Sequence, residues 1–346
     1  MKVIYGTATD RRPSPLEDAY LHFRLDRQGL PVSARTLGFY DEKVGAFLAW
    51  LGQEHPRVRH FEELDITVVR QYRARMAARS GLRGLRIQPE TLAGSDRALR
   101  AFFRWAQGEG YAVTPRILQL PRVRVPWKEL TLYHIAQVQE IFGACNPRLP
   151  QEALAVRILL GSGVRQSELC GLAVRGPDGL PDLMLDSIDR GIVELRVRGE
   201  AGAKGMRARR IPVVPRLGSE IKRYVARHRP EVAYPHLLIN CGGRPYRRWG
   251  MDSVMDRIEQ RVGFRVHAHA FRHTFATVAT KVGWNFERLR AAMGHEDYIT
   301  LQRYVRLAME RDLGRLEDWT EFIALPPHIE SPTWPGQRGT SLTAGF

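Results

Sequence analysis

The stretch His269-Ala270-Phe271-Arg272 stands at the start of a predicted helix and decides how the second half of the chain is interpreted. Residues three apart share one helix face, so His269 and Arg272 are expected to lie side by side. Two further stretches extend the pattern in both directions: Gly163-Val164-Arg165-Gln166-Ser167-Glu168-Leu169 upstream, and Gly294-His295 with Tyr304 nine positions later downstream. Two arginines, two histidines and a tyrosine therefore occur in a defined order.

These side chains suit the cleavage of a phosphodiester by a protein nucleophile. The reaction needs charge stabilisation on two non-bridging oxygens, and Arg165 and Arg272 offer forked, permanently charged donors. Tyr304 is a competent nucleophile for phosphorus, and positive groups close by are expected to favour its phenolate. Arginine does not release a proton at neutral pH, whereas Lys204, in a glycine-flanked turn, can protonate the leaving oxygen. Tyr298 is a rival nucleophile.

The chain is strongly basic, with 53 lysines and arginines against 37 acidic residues and a formal net charge of +16. Residues 1–126 carry a net charge of +8 and the remainder also carries +8, so the charge is not confined to a tail. An excess of cations favours a polyanionic partner, because each neutralised phosphate releases condensed counterions. Both halves are therefore expected to contact nucleic acid, a merely soluble cationic protein being the alternative.

Composition narrows the class of protein further. Hydrophobic residues make up 44% of the chain, which is typical of a folded soluble protein. No stretch approaches the roughly 20 apolar residues of a membrane span, and the N-terminus lacks the apolar core of a signal peptide. The three cysteines form neither a CxxC pair nor a cluster of metal ligands. A cytoplasmic protein without membrane association, metal or cofactor is predicted.

Hydrophobic periodicity predicts a mainly α-helical chain with a small antiparallel β-sheet. Helices are expected near residues 16–24, 33–50, 67–78 and 89–108 in the first half, and near 131–145, 150–161, 219–229, 251–262, 270–282, 286–293 and 299–317 in the second. Period-two alternation over 191–197, a glycine-rich turn carrying Lys204, and a second run over 208–214 predict a hairpin. Residues 121–127, with two prolines and two arginines, are predicted to form a linker.

Candidate DNA-contacting residues lie in the first half and the linker. Arg97, Arg100 and Arg104 recur along the predicted helix 89–108 as one basic stripe. The stripe could follow a DNA backbone, with a solvated helix face as the alternative. Arg122 and Arg124 of the linker are further candidates. Arginines that position phosphates and arginines that read bases look alike in a sequence.

The motifs together resemble those of the tyrosine recombinases, the superfamily of phage integrases and Xer-like proteins. The resemblance is carried by the stretches 163–172 and 269–277, by the hairpin lysine, and by Met293-Gly294-His295 followed by Tyr304. It covers residues 130–318 and, more loosely, the helical first half. Matched motif by motif, it assigns catalytic roles to Arg165, Lys204, His269, Arg272, His295 and Tyr304. Residues Gly176 to Pro181 stand as an insertion between the first arginine and the lysine.

The resemblance implies a two-domain DNA clamp. Its parts are a flexible N-terminus over 1–14, a helical core-binding domain over 15–120, a linker over 121–129, a catalytic domain over 130–318 and a tail over 319–346. It also implies that Tyr304 cleaves double-stranded DNA to leave a 3′-phosphotyrosyl linkage and a free 5′-hydroxyl, without metal or ATP. Strands then exchange in a tetramer assembled from chains that are monomers in solution.

Three functions are compatible with the sequence. The first is a site-specific DNA recombinase, either the integrase of a mobile element or an Xer-like resolvase. The second is a type IB topoisomerase, which shares the chemistry but relaxes supercoils as a monomer with little sequence preference. The third is a non-catalytic DNA-binding regulator that uses residues 286–306 as a helix-turn-helix, which leaves Tyr304, Lys204 and the HxxR motif as coincidences.

The C-terminal segment over residues 316–323 differs from the basic body of the chain because it mixes acidic and apolar residues. It is a candidate for docking onto a neighbouring protomer. Packing on its own domain is the alternative.

Overall fold

The structure, a computed structural model of the 346-residue chain, describes residues 15–78, 87–126, 129–184, 193–199, 208–294 and 298–324, with the backbone alone for 298–300. The chain divides into two compact units, Met1–Lys128 and Glu129–Phe346, each with its own hydrophobic core. Lys204 and His295 lie outside the described residues. Among the helices that are described, none is long and apolar enough to cross a membrane.

Helices make up most of the first unit. The described ones are α1 Pro15–Gln28, α2 Ala34–Glu54, α3 Ile66–Ala78, α4 Pro89–Gly108 and α5 Pro115–Gln119. Ser33 caps α2, where its hydroxyl accepts a hydrogen bond from the backbone N–H of Thr36. Aromatic side chains fill the core, in which Phe102 of α4 packs edge-on against Tyr20 and Phe23 of α1. Aromatic burial thus joins helices that are distant in sequence.

The three arginines predicted to form one basic stripe on α4 differ in exposure: Arg97 and Arg104 are exposed and Arg100 is buried. Arg100 is only 8% exposed; its Nε donates to Asp96 at 2.9 Å, and its guanidinium also donates to two backbone carbonyls at the end of α5. Arg100 therefore has a structural role in this fold, because its side chain faces inward and ties α5 to α4, and its contact with DNA stays a prediction. The other four arginines predicted to meet DNA are exposed: Arg97, Arg104, Arg122 and Arg124.

The second unit combines helices with a three-stranded sheet. Its described helices are α6 Ile135–Ala144, α7 Pro150–Ser162, α8 Gln166–Gly171, α9 Pro215–Arg227, α10 Arg248–Val262, α11 Ala268–Lys281, α12 Phe286–Met293, α13 Tyr298–Glu310 and α14 Leu316–Trp319. The sheet is antiparallel in the order β1 Leu183–Met184, β2 Val193–Val197 and β3 Arg209–Val213. In its register Leu195 pairs with Leu183 on one side and Ile211 on the other.

The fold class expected from the sequence is confirmed, since the structure is mainly helical with a small antiparallel sheet. The predicted hairpin corresponds to β2 and β3, and Val193, Leu195 and Val197 are buried at alternate positions as the period-two pattern requires. Strand β1 and helix α8 were not predicted. They span two and six residues, too few for either periodicity to register.

Helix α11 lies at the centre of the second unit and positions the site. It packs against α7 and α13, and apolar side chains such as Phe271, Phe275 and Val278 are fully buried. Its threonines are also buried, and the Thr274 hydroxyl accepts a hydrogen bond from the backbone N–H of Tyr133 at 2.9 Å. A helix that is buried on most of its circumference has a fixed rotation and depth. Functional side chains on α11 are therefore held by the core.

The predicted helix over 299–317 is interrupted in the structure. Between α13 and α14 the chain turns, and Gly314 there has a φ of +93° that disfavours other residues. The segment that follows packs on its own unit, where Trp319, Phe322 and Ile323 are buried. The structure thus shows the alternative expected for this segment. Docking onto a neighbouring protomer through these side chains would first require their release.

The insertion at Gly176 to Pro181 is tied to the sheet by charge. Arg196 donates to Asp178 at 2.9 Å, and Arg198 pairs with the same carboxylate at 2.8 Å. Both arginines lie on or directly after β2, so these pairs link the insertion to the base of the hairpin.

Candidate active site

The corner between α7 and α8 sets the first arginine of the site. Helix α7 ends at Gly163, which adopts a left-handed conformation with φ +62°. The Gly163 carbonyl accepts a hydrogen bond from the Arg272 guanidinium at 2.5 Å. Two residues later Arg165 caps α8. A side chain at position 163 would overlap the Phe275 ring, so both the backbone conformation and the close packing require glycine.

Replacing Gly163 with alanine is expected to lower the free energy of unfolding by about 2 kcal/mol or more, because strain at positive φ adds to overlap with Phe275. The shift should also displace the carbonyl that holds Arg272. Thermal unfolding of the full chain measures the first effect. Gly143→Ala is the matched control: it lies in α6 with open space around its Cα and should be neutral or slightly stabilising. Equal melting temperatures for the two variants would contradict the expectation.

A buried carboxylate orients Arg165. The Glu168 side chain is fully buried, and it accepts hydrogen bonds from the Arg165 backbone N–H at 2.7 Å and from the Arg165 guanidinium at 2.8 Å. Arg209 of β3 donates two more, at 3.0 and 2.7 Å. Burial acts to raise the pKa of Glu168, but the hydrogen bonds and charges of Arg209 and Arg165 hold that pKa below its usual value. Glu168 is therefore ionised and fixes both arginines.

Three arginines meet the carboxyl end of α12. Arg209 donates to the carbonyl of Ala292 at 2.7 Å, Arg272 to that of Met293 at 2.5 Å, and Arg165 to that of Gly294 at 3.3 Å. The last carbonyls of a helix lack partners within it and carry its negative dipole end, so cations stabilise them. Gly294 ends the helix with φ +58°. Guanidiniums from three separate parts of the chain thus position the residues directly before His295.

Arg272 is buried in this cluster and is only 2% exposed. Burial, followed by the charge of Arg165, lowers the pKa of Arg272 to about 9, which leaves the guanidinium protonated at neutral pH. Its bonds to Gly163 and Met293 account for two of its five N–H donors. The side chain is thus a charged donor in a pre-formed orientation.

Two histidines of α11, His269 and His273, stand one turn apart beside the tyrosine. His267 precedes the helix and caps it by accepting a hydrogen bond from the backbone N–H of Ala270, and His269 lies on the exposed side of the helix. The His269 and His273 rings meet edge to face with centroids 4.9 Å apart. His273 Nδ1 lies 2.9 Å from the hydroxyl oxygen of Tyr304. The tyrosine of α13 is therefore joined to the helix that carries Arg272.

Burial decides the electrostatic balance at Tyr304. Burial raises the pKa of Tyr304, which is 2% exposed, and the positive charges of Arg272, Arg303 and Arg165 offset only part of that rise. The neighbouring cations do favour the phenolate, as expected, because each of their charges lowers the pKa, but burial outweighs them. In this structure Tyr304 carries its proton at neutral pH.

The fold brings together four of the six residues to which the sequence assigned catalytic roles: Arg165, His269, Arg272 and Tyr304. Lys204 and His295 fall outside the described residues, and their roles stay predictions. Sequence reasoning missed His273 and Arg209. A signal for His273 was available, since it stands four positions after His269 on the same helix face. Arg209 gave none, because its partners Glu168 and Ala292 are remote in sequence.

Comparison with known proteins adds independent observations. Residues 133–311 match the sequence model described as the phage integrase family. Tyrosine recombinase XerA of Thermococcus kodakarensis is 30% identical over 218 residues, which are 62% of this chain and 70% of that protein. Tyrosine recombinase XerC of Staphylococcus carnosus is 25% identical over 289 residues, which are 81% of this chain and 88% of that protein.

Solved structures with the same fold include three protein–DNA complexes, each with a TM-score of 0.63. XerH site-specific recombinase in a post-cleavage complex with a palindromic difH substrate is 16% identical, and the match covers 85% of this chain and 82% of that one. The Tn1549 transposon integrase with circular intermediate DNA is 18% identical, with coverages of 85% and 99%. A lambda integrase dimer on a COC′ core site is 13% identical, with coverages of 86% and 97%. At these identities the likeness is one of fold.

Proposed function

The chain belongs to the phage integrase family and is a tyrosine-type site-specific DNA recombinase, and from this premise we propose that Tyr304 is the nucleophile that cuts and rejoins its DNA. One observation carries the assignment. The Tyr304 hydroxyl oxygen lies 2.9 Å from Nδ1 of His273 on α11. Arg165 and Arg272 of the same site are both hydrogen-bonded to carbonyls at the end of α12. The same two arginines act on the phenol, since their charges lower its pKa against the effect of burial.

In the proposed reaction the Tyr304 hydroxyl oxygen attacks the scissile phosphorus and the bond from phosphorus to the 5′-oxygen breaks. The product is a 3′-phosphotyrosyl linkage and a free 5′-hydroxyl. Attack by that 5′-hydroxyl reverses the step and rejoins the strand, so no ATP is needed. Lys204 is the proposed proton donor to the 5′-oxygen. His269 is the proposed acceptor of the phenol proton during attack, and its ring is neutral beforehand because partial desolvation and then Arg272 lower its pKa.

The arginines stabilise the negative charge that develops on the non-bridging phosphate oxygens. Arg165 is accessible, with 19% of its side chain exposed, and we assign it the direct contact with the phosphate. Arg272 lies deeper and supplies fixed charge that needs no reorganisation during the reaction. His295 is proposed to contact the phosphate from the turn after Gly294. Glu168 and Arg209 hold the arginines in place.

The partner is double-stranded DNA, and charge suggests where the first unit meets it. Arg97, Arg104, Arg122 and Arg124 are exposed, and we propose that they contact phosphates. Four protomers would assemble on two DNA sites to exchange strands. A mobile-element integrase and an Xer-like resolvase both fit this chemistry.

The alternatives account for fewer observations. A non-catalytic regulator would explain α12 and α13 as a DNA-reading pair, but it leaves the arrangement of Arg165, Arg272 and Tyr304 without a purpose. A type IB topoisomerase would use the same chemistry, but the similar proteins reported above are named recombinases and integrases.

The test is to trap the covalent intermediate on nicked duplexes tiled across the DNA that flanks the gene. A nick close to the cleavage point lets the short 5′-hydroxyl fragment diffuse away, so the adduct accumulates. We expect an SDS-resistant adduct whose yield is unchanged by EDTA and whose tryptic phosphopeptide contains Tyr304. Tight DNA binding without any adduct would contradict the proposal. Relaxation of plasmids that lack the cleaved sequence would favour a topoisomerase.

A further inference from the structure

We propose that His273 is a positioning residue for the nucleophile: its Nδ1 atom accepts a hydrogen bond from the Tyr304 hydroxyl and aims the oxygen lone pairs at the phosphorus. The proposal rests on the function proposed above and adds a residue outside the set inferred from the sequence. It concerns how Tyr304 is held before attack, not which group stabilises the phosphate.

The geometry is that of an enclosed hydrogen bond. The 2.9 Å separation of His273 Nδ1 and the Tyr304 oxygen lies within the range of such bonds, and the two ring centroids are 5.8 Å apart. Tyr304 is 2% exposed and His273 is half-buried, so most of the contact is shielded from water. Helices α11 and α13 pack against each other, which fixes the backbone on both sides of the bond. Side chains locked in this way can hold a reactive atom to a fraction of an ångström.

Electrostatics gives the bond its direction. Burial, followed by the charges of His269, Arg272, His267 and Arg303, lowers the pKa of His273 to about 3, so its ring is neutral and retains a lone pair. The pKa of Tyr304 is raised, so the phenol retains its proton. Guanidiniums of Arg272, Arg303 and Arg165 act on the phenol oxygen, and arginine has only donors. The phenol proton therefore points to His273, and the oxygen lone pairs are left toward the arginines, where a phosphate would bind.

This role differs from that of His269. His269 lies on the exposed side of α11, one turn before His273, where a DNA phosphate has access. His273 lies behind it and contacts the nucleophile itself. The two histidines thus divide the site into a phosphate side and a nucleophile side, and a variant of each should fail in a different way.

The experiment compares His273→Leu with His273→Asn in the full chain. Leucine fills similar space without an acceptor, whereas the asparagine side-chain oxygen can take nearly the place of Nδ1 but does not take up a proton. With nicked duplexes in excess, we expect His273→Leu to slow adduct formation about 100-fold and His273→Asn to stay within about 5-fold of wild type. DNA affinity and thermal unfolding, measured on the same samples, control for folding.

A second substrate locates the defect. In this duplex sulfur replaces the scissile 5′-oxygen. The cleaved 5′ end then leaves as a thiolate, which needs no proton from an acid. The sulfur should restore cleavage to Lys204→Ala, which lacks the proposed acid, and should not restore it to His273→Leu. The acidic side of the pH–rate profile should be the same for His273→Asn and wild type, since His273, with its pKa lowered to about 3, is already neutral over the pH range of the assay.

Several results would overturn the proposal. Cleavage by His273→Leu at the wild-type rate would make the contact incidental, and a faster rate would show that the bond restrains Tyr304. Equal loss in both variants, or a changed acidic limb with asparagine, would mean that His273 acts other than as a neutral acceptor. Absence of an adduct with the wild-type protein is a separate outcome, because it contradicts the proposed function before any variant is compared.

Discussion

Tyr304→Phe is expected to abolish the covalent protein–DNA adduct, with a loss in cleavage rate of about 10⁵-fold, because the variant lacks the attacking oxygen. Phenylalanine keeps the buried ring and its packing against His273. The substitution also removes the hydrogen bond to His273, worth about 1 kcal/mol of stability. The variant should therefore fold and bind DNA as wild type does. Adduct yield on the nicked duplex and affinity on the intact duplex measure the two properties separately.

Tyr298→Phe serves as the control for this result. Tyr298 begins α13 and is the rival nucleophile in the sequence, six positions before Tyr304. We expect Tyr298→Phe to retain the adduct. A Tyr304→Phe protein that still forms an SDS-resistant adduct, together with its loss in Tyr298→Phe, would transfer the nucleophile to Tyr298 and refute the assignment made here.

Arg272→Lys is expected to have the second largest effect, with cleavage about 10³-fold slower at unchanged charge. Lysine carries one ammonium on a flexible stem and does not reproduce the planar fork that reaches the carbonyls of Gly163 and Met293 together. The side chain is 2% exposed, so an unmet carbonyl and a misplaced charge stay buried. Stability should fall by about 2 to 4 kcal/mol for that reason.

Arg165→Lys is the matched comparison, because we propose that Arg165 contacts the same phosphate and it is more accessible, with 19% of its side chain exposed. We expect a clear loss of cleavage and a smaller loss of stability, since lysine at 165 can still pair with Glu168. Cleavage rates are best compared below the melting temperature of the weaker variant. If Arg272→Lys melts like wild type and cleaves within tenfold of it, Arg272 is neither a structural anchor nor a source of catalytic charge.

Many helices and strands could be predicted from the sequence, because the spacing of apolar residues along the chain reflects the local backbone conformation. The apolar period predicted α4 over 89–108, and the structure has Pro89–Gly108, with proline at its first turn. Period-two alternation predicted the hairpin of β2 and β3. The predicted helix over 299–317 failed because of a single backbone conformation: Gly314 at positive φ divides what periodicity alone presents as one helix.

Within the proposed site, the order and spacing of the motifs were enough to nominate Arg165, His269, Arg272 and Tyr304, because that chemistry demands those residue types. Spacing relates residues only within one element. It placed Arg100 in a stripe on the helix surface, whereas contacts with Asp96 and the end of α5 hold that side chain inside. Whether a side chain of a helix lies at the surface or in the interior depends on the elements that pack against that helix.

Only the tertiary structure decided the electrostatics of the site. The effect of a charge on Tyr304 depends on burial and on neighbours from other segments, and burial outweighs the arginines there. His273 belongs to the site because it contacts Tyr304 of α13. Arg209 belongs to it because it donates to both Glu168 and the carbonyl of Ala292 at the end of α12. The sequence alone determined which groups are available for the reaction. Packing between distant segments determined which of them are charged, which are held, and which touch, because those properties arise only when the chain is folded.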